Sequence, residues 1–152
     1  MARFLLLAAH VVASLVLGLS LARPGSAGAE QYLCLAENSS GFSFNTHSGT
    51  WISTTFRTDD KYLIAPSKNP AHAFQVTRIG ENSPSANCED GFNEAGYLFC
   101  KGPAGEFKFN KKNGRFLKVF SFGYFNVVPG MNDTTDESSD TPYVQIGKCS
   151  PF

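Results

Sequence analysis

From about residue 31 onward, apolar and polar residues alternate along the chain with a period of two. Phe74 and Val76, and likewise Phe107 and Phe109, are each separated by one polar residue, so each pair lies on one face of a β-strand. The longest row of this kind comprises Phe116, Lys118, Phe120, Phe122 and Tyr124. No window of ordinary helix length combines a helical period with capping residues. The pattern therefore predicts an all-β domain.

Turn-forming residues divide the chain into short strands. Glycine, asparagine and serine recur about every eight to twelve residues, which is typical of an antiparallel meander. Strands are predicted at 31–37, 41–45, 50–57, 61–65, 73–79, 96–101, 105–110, 115–127 and 142–148. So many short strands in a small domain must pack as two sheets or close into a barrel, because otherwise their edges are exposed. We expect a small antiparallel barrel rather than a sandwich.

The first 29 residues differ in composition from the rest. Residues 4–21 are almost wholly apolar, with a basic residue ahead of them and small residues behind. This is the layout of a secretory signal peptide, and the small residues before Glu30 predict cleavage after Ala29. Cleavage after Ala22 and an uncleaved membrane anchor are the alternatives. We expect residues 30–152 to be exported, to the periplasm or out of the cell, as a single domain without an anchor.

All four cysteines lie in the part of the chain that we expect to be exported. An even number of cysteines in an exported protein predicts disulfides, here two. We favour Cys34 with Cys149, which ties the first strand to the last, and Cys88 with Cys100 across a hairpin. None of the four has the close spacing of zinc ligands, so we expect no metal site.

An internal repeat supports a competing disulfide pairing. Residues 42–51 and 107–116 both read F-x-F-N-x-x-x-G-x-aromatic. Each copy predicts a β-hairpin with two inward aromatic residues and an Asn-to-Gly connection that adopts positive φ. The repeat reflects either duplication of half the domain or the same hairpin pattern used twice. Duplication would favour pairing Cys34 with Cys88 and Cys100 with Cys149.

The charge of the chain argues against nucleic acid as a partner. The full chain has 13 basic and 13 acidic residues, and residues 1–29 hold two of the basic ones and no acidic one, which leaves a net charge of −2 on the mature domain. Its basic residues are scattered, with Lys111-Lys112 the only adjacent pair. Proteins that bind nucleic acid normally carry a basic patch that neutralises phosphates.

Several sequence features also occur together in known exported proteins. They are the signal peptide, Gly41-Phe42, Trp51, Phe56, Arg115-Phe116 and the ending Pro142 to Cys149. In this combination the chain resembles small exported proteobacterial proteins with two disulfides and no characterised function. Leu98 directly precedes Phe99-Cys100, so the F-x-C spacing of that group is not reproduced. Gly49-Thr50-Trp51 is similar to the G-x-W of lipocalins, which implies a related barrel.

These features favour a non-enzymatic binding module that is monomeric and needs no cofactor. We expect it to hold a small apolar ligand inside the barrel or a protein partner on its rim. The candidate ligand contacts are aromatic residues that alternation would not bury together, namely Trp51, Phe122, Tyr124 and Phe125. One alternative is a structural envelope protein without a ligand. The other is a small hydrolase using His47 or His72 with a carboxylate.

Overall fold

The computed structural model describes residues 30–103, 105–124 and 141–152, and the predicted signal peptide lies outside these ranges. Within them the chain is all-β, as the alternation predicts. The strands are β1 (Tyr32–Asn45), β2 (Thr50–Thr55), β3 (Lys61–Pro66), β4 (Phe74–Arg78), β5 (Ala86–Cys88), β6 (Tyr97–Gly102), β7 (Gly105–Asn110), β8 (Arg115–Phe120) and β9 (Tyr143–Pro151).

The strands close into a barrel through β1. Its first half pairs with β3 on one edge, and residues 32–41 pair with β9 on the other. Each remaining strand from β3 to β9 pairs with the next one in sequence, always antiparallel. Eight strands therefore form a closed barrel, and β2 is an additional strand paired with the second half of β1. The barrel is confirmed over the sandwich.

The first strand is longer than predicted. Strands at 31–37 and 41–45 are predicted separately, because the polar residues between them indicate a loop, but they form one continuous strand. A β-bulge between Ala36 and Asn38 adds one residue to β1 relative to β9, and the pairing with β9 continues beyond it. Ser39, which follows the bulge, is buried. Opposite the bulge, Gly147 allows close backbone approach, since a Cβ there would lie 2.1 Å from the Leu35 carbonyl oxygen.

One short strand is missing from the prediction, and one predicted strand is too long. The sequence pattern misses β5, because three residues are too few to show an alternation. The predicted strand 115–127 ends at Phe120, and Phe122 and Tyr124 lie in a turn around Gly123, whose φ is +113°. The last three residues of that prediction lie outside the described ranges.

The two repeat copies form hairpins with the same turn. In β1–β2 the Gly49 N–H donates to the Asn45 carbonyl at 2.8 Å, and in β7–β8 the Gly114 N–H donates to the Asn110 carbonyl at 2.9 Å. Both glycines have positive φ. The aromatic residues of the second copy face the core as predicted, but Phe42 in the first copy is 54% exposed because its hairpin extends beyond the barrel.

Both favoured disulfides are confirmed. Cys34 pairs with Cys149 across the β1–β9 seam, where the two residues are directly opposite each other. Cys88 pairs with Cys100 and closes the connection between β5 and β6. Two disulfides indicate an oxidising environment. Within the described ranges, no helix is long and apolar enough to cross a membrane.

Aromatic rings fill one half of the barrel interior. At the end that we call the base, Tyr32 packs edge-on against Phe109, with ring centroids 4.7 Å apart, and Phe92 contacts both. Midway along the barrel, the rings of Phe107 and Phe116 stack at 4.9 Å. The opposite end, which we call the mouth, lies where β4 and β8 end and β9 begins. Its interior contains a cavity lined by both apolar and polar side chains.

Candidate functional site

The mouth of the barrel contains a cavity of about 360 Å³. Its lining is partly apolar, and these residues include Val76, Ala86, Phe107, Phe120 and Tyr143. Its polar lining includes Tyr62, Arg78, Glu81, Ser85, Glu106 and Lys118. The mouth is the candidate site because this cavity combines apolar surface with converging polar and charged groups.

Lys118 places a cation at the wall of this cavity. It lies on β8 between Phe116 and Phe120, and strand alternation turns all three side chains to the inside of the barrel. Its Nζ donates to the hydroxyl oxygen of Tyr62 at 3.1 Å and to that of Tyr143 at 3.0 Å. Nζ also lies about 5 Å from the centroids of both tyrosine rings, at 5.0 and 5.4 Å. These contacts hold the ammonium group in position.

A buried hydrogen-bond network holds in place the Tyr62 hydroxyl that Lys118 contacts. The Tyr62 hydroxyl donates to Gln145 Oε1 at 2.7 Å, and Gln145 Nε2 donates to Asp60 Oδ2 at 2.9 Å. Gln145 is fully buried, so these bonds satisfy an amide that has no access to water. Asp60 also forms a salt bridge with Arg78 at the rim of the mouth. The network therefore joins β3, β4, β8 and β9.

The network shifts the pKa of Tyr62 and that of Asp60. Burial, the largest contribution, raises the pKa of Tyr62, and the nearby charge of Asp60 raises it further, so Tyr62 is a neutral phenol at physiological pH. For Asp60, burial by itself raises the pKa, but hydrogen bonds from Gln145 and Arg78 outweigh it and the net pKa is lowered. Asp60 is therefore ionised, and Tyr62 acts as a hydrogen-bonding group rather than as a base.

We predict that Asp60 makes stability sensitive to acid. Since its folded pKa is below its unfolded value of about 4, Asp60 contributes stability above that value and loses it as pH falls through the lower folded pKa. The free energy of unfolding of Asp60→Asn should therefore fall less steeply below about pH 4 than that of the wild type. Urea unfolding at a series of pH values measures this, with the exposed neighbour Asp59→Asn as control. Parallel curves for wild type and Asp60→Asn would contradict the assignment.

Four aromatic residues are predicted as ligand contacts, and the three that the structure describes do not line the mouth cavity. Trp51 lies on the β1–β2 hairpin and packs edge-on against Phe44 and Tyr124. Phe122 contacts Phe120 in the turn after β8. Tyr124 is 66% exposed and lines a different concavity on the outer surface. Phe125 lies outside the described residues.

That outer concavity is a shallow groove between the β1–β2 hairpin and the barrel wall. It measures about 490 Å³ and is mainly apolar, and the residues lining it include Phe42, Tyr124 and Val144. Of the predicted contacts, the structure brings Trp51 and Tyr124 together beside this groove. Trp51 and Tyr124 thus lie on the outside of the barrel rather than in its interior.

The two histidines of the hydrolase alternative lie at opposite ends of the barrel. His47 is in the turn at the tip of the β1–β2 hairpin, beyond the mouth. His72 is in the β3–β4 connection at the base, with its Nδ1 buried and unbonded among the described residues. They therefore cannot act in one site. Across the described ranges, no cluster of three or more His, Cys, Asp or Glu side chains could hold a metal ion.

Sequence reasoning missed the polar residues of the mouth. A signal for Lys118 was present, because the alternating row places this lysine on the same face as Phe116 and Phe120. Asp60 and Gln145 carry no such signal, since they are 85 residues apart and meet only when the barrel closes.

Comparison with known proteins yields no match by which to assign the site. A scan against protein-family models found none, and neither did searches of curated proteins and of solved structures. A functional assignment therefore rests on the residues and geometry of the mouth.

Proposed function

We propose that this protein is a non-enzymatic, exported binding protein that holds a compact small molecule with an apolar body in the mouth of its barrel. The observation that carries the proposal is the cavity of about 360 Å³ in a barrel whose other half is filled by stacked and edge-on aromatic rings. Ligand pockets in proteins range from roughly 300 to 1,000 Å³, so the space is of the right order for a compact ligand.

The composition of the lining supports a small molecule. Phe107, Val76 and Ala86 are buried and form an apolar inner surface, and Phe120 stacks on Tyr143 at 5.2 Å along one side. Charged and hydroxyl groups cluster around this surface. A mainly apolar pocket with a few fixed polar groups is the usual arrangement in small-molecule sites, where burial gives affinity and polar contacts fix orientation.

The covalent framework supports a site that is formed before the ligand arrives. The barrel is closed by its β1–β9 seam and by the Cys34–Cys149 disulfide across that seam. A ligand that enters a preformed site does not have to order the chain around it, so less binding free energy is lost. The structural-protein alternative gives no reason to retain an unfilled space in a rigid barrel.

We predict that filling the cavity weakens binding. Ala86 faces the cavity from β5, whereas its neighbour Asn87 faces outward on the same strand. Titration calorimetry with 1-octanol, octanoate and octylamine should detect one bound molecule per chain for at least one probe. Ala86→Phe should weaken that binding by about tenfold or more, and Asn87→Phe should leave it within about twofold.

Thermal melting checks that both variants fold, because a larger side chain in a close-packed core can strain it. Absence of binding by all three probes would refute the proposed function. Equal binding by the wild type and a folded Ala86→Phe variant would show that the mouth cavity is not the site. Native mass spectrometry of the protein recovered from an oxidising export compartment then gives the mass of the natural ligand.

A further inference from the structure

We infer that the ligand in the mouth carries a single carboxylate or a similar anionic group, which pairs with Lys118 while its apolar body lies against the rings of Phe120 and Tyr143. This inference rests on the proposed function, and it names the class of ligand that the same cavity selects. It is carried by the position of one ammonium group, by the charges around it and by the size of the space beside it.

The first step is the bonding of the ammonium group. A lysine side chain has three N–H donors and no acceptor. Within the described part of the chain, Lys118 Nζ makes two hydrogen bonds, to the hydroxyl oxygens of Tyr62 and Tyr143. Lys118 lines the cavity, so the third donor is available to a molecule inside it. An ammonium group with a free donor at an apolar cavity wall favours an anionic acceptor.

The second step is the salt bridging at the mouth. Two carboxylates line the cavity and both form salt bridges, Glu81 with Arg78 at 3.4 Å and Glu106 with Lys108 at 2.7 Å. Arg78 also pairs with Asp60. Among the described residues, Lys118 forms no salt bridge, and its contacts are the hydroxyl oxygens and ring faces of Tyr62 and Tyr143. A ligand anion would give this ammonium group a direct ionic partner.

The third step is a second donor next to the first. The Tyr62 hydroxyl proton is used for Gln145, but within the described ranges Tyr143 Oη accepts from Lys118 and donates to no protein acceptor. A carboxylate has two oxygens that accept hydrogen bonds. One oxygen can accept from Lys118 Nζ and the other from the Tyr143 hydroxyl, because these two donors are 3.0 Å apart. An alcohol or an amine offers no such pair of acceptors.

The fourth step is the space available to the rest of the ligand. A cavity of roughly 150 Å³ accommodates benzene, so about 360 Å³ accommodates a body about twice that size. Phe120 and the ring of Tyr143 line the cavity and are only partly buried, so an alkyl chain or a ring would replace water against apolar surface there. The ligand class is therefore a compact monocarboxylate or comparable monoanion.

The test compares ligands that differ only in their head group. Octanoate, 1-octanol and octylamine have the same chain and carry a negative, a neutral and a positive group at pH 7. Their affinities are measured by titration calorimetry with the oxidised wild-type protein, Lys118→Met, Lys118→Arg and Lys148→Met. Lys148 is the matched control, since it lies on the outer face of β9 with its side chain 65% exposed.

For the wild type we expect octanoate to bind about tenfold or more tightly than octanol, and octylamine to bind most weakly. Lys118→Met should reduce octanoate binding to the level of octanol without changing octanol by more than about twofold. Lys118→Arg should retain the preference because it retains the charge, and Lys148→Met should match the wild type. Higher salt concentration should reduce the preference for octanoate.

Equal binding of octanoate and octanol by the wild type would overturn this inference and leave the proposed function in place. A preference for octanoate that persists in Lys118→Met would also overturn it. Failure of all three probes to bind would instead refute the proposed function, on which the inference rests. The comparison of head groups on the wild type needs no variant, so it remains decisive even where Lys118→Met folds poorly.

Discussion

Replacing Cys34 and Cys149 together by alanine is expected to lower the free energy of unfolding by about 5 kcal/mol. The two cysteines are 115 residues apart, so their disulfide restricts almost the whole unfolded domain, and the chain-entropy relation gives this value for a loop of that length. The disulfide also joins directly opposed residues of β1 and β9, the seam at which the barrel closes. Guanidinium unfolding without reductant, followed by tryptophan fluorescence, measures the change.

The second disulfide is the matched comparison. Cys88 and Cys100 are only 12 residues apart in sequence, and the same relation gives about 3 kcal/mol for replacing both by alanine. Both pairs are nearly or fully buried, so the loss of packing is similar and the difference reports mainly on loop length. A loss for the Cys88–Cys100 pair as large as that for the Cys34–Cys149 pair would contradict the account in which barrel closure depends on the long-range disulfide.

Truncating Phe109 to alanine is expected to cost about 3–5 kcal/mol of unfolding free energy. Phe109 is 1% exposed at the base and packs edge-on against Tyr32 and Phe92, so its loss leaves a cavity that close-packed rings cannot easily fill. Phe99 on the neighbouring strand is the control, because it faces outward and is 56% exposed. Phe99→Ala should change stability by about 0.5 kcal/mol or less.

Both values come from urea or guanidinium unfolding of the oxidised protein. An effect of Phe109→Ala as small as that of Phe99→Ala would show that the base is loosely packed. The mouth cavity would then no longer stand out from the rest of the interior, and the main argument for a binding site there would fail. The predicted loss of stability at the base and the proposed binding site at the mouth therefore both depend on the base being close-packed.

Local sequence patterns predicted much of the fold. Strict alternation at Phe107 and Phe109 identified an inward face, and the Asn-to-Gly spacing after Asn45 and Asn110 identified two hairpins with the same turn. These features depend on residues close together in sequence, where backbone geometry and side-chain periodicity act directly. The Cys34–Cys149 disulfide followed from placing the first strand beside the last, and the Cys88–Cys100 disulfide from a hairpin between the two cysteines.

Features that depend on the closed barrel were not predictable in the same way. The polar residues between Ala36 and Gly41 indicate a loop by themselves, but pairing with β9 holds them in a continuous strand. β5 is recognisable only through its partners β4 and β6, because its three residues carry no pattern of their own. In both cases tertiary pairing overrides local propensity.

The candidate site was the part least accessible from sequence. Aromatic residues such as Trp51 and Tyr124 stood out by residue type, yet the structure places them beside the outer groove. The mouth depends instead on Lys118, a lysine on an inward face of a strand, and on partners from β3 and β9. A lysine within an aromatic row is the sequence feature that would have indicated the site, since burying a cation requires polar partners.

The measurement that tests the central claim most directly is an amide NMR titration of the oxidised, exported protein with octanoate. The account predicts that the largest shift changes occur at the mouth, at Tyr62, Val76, Phe107 and Lys118, with little change at the base. Largest changes at Phe42, Tyr124 and Val144 would place binding in the outer groove and contradict the account. Absence of any saturable change would contradict it as well.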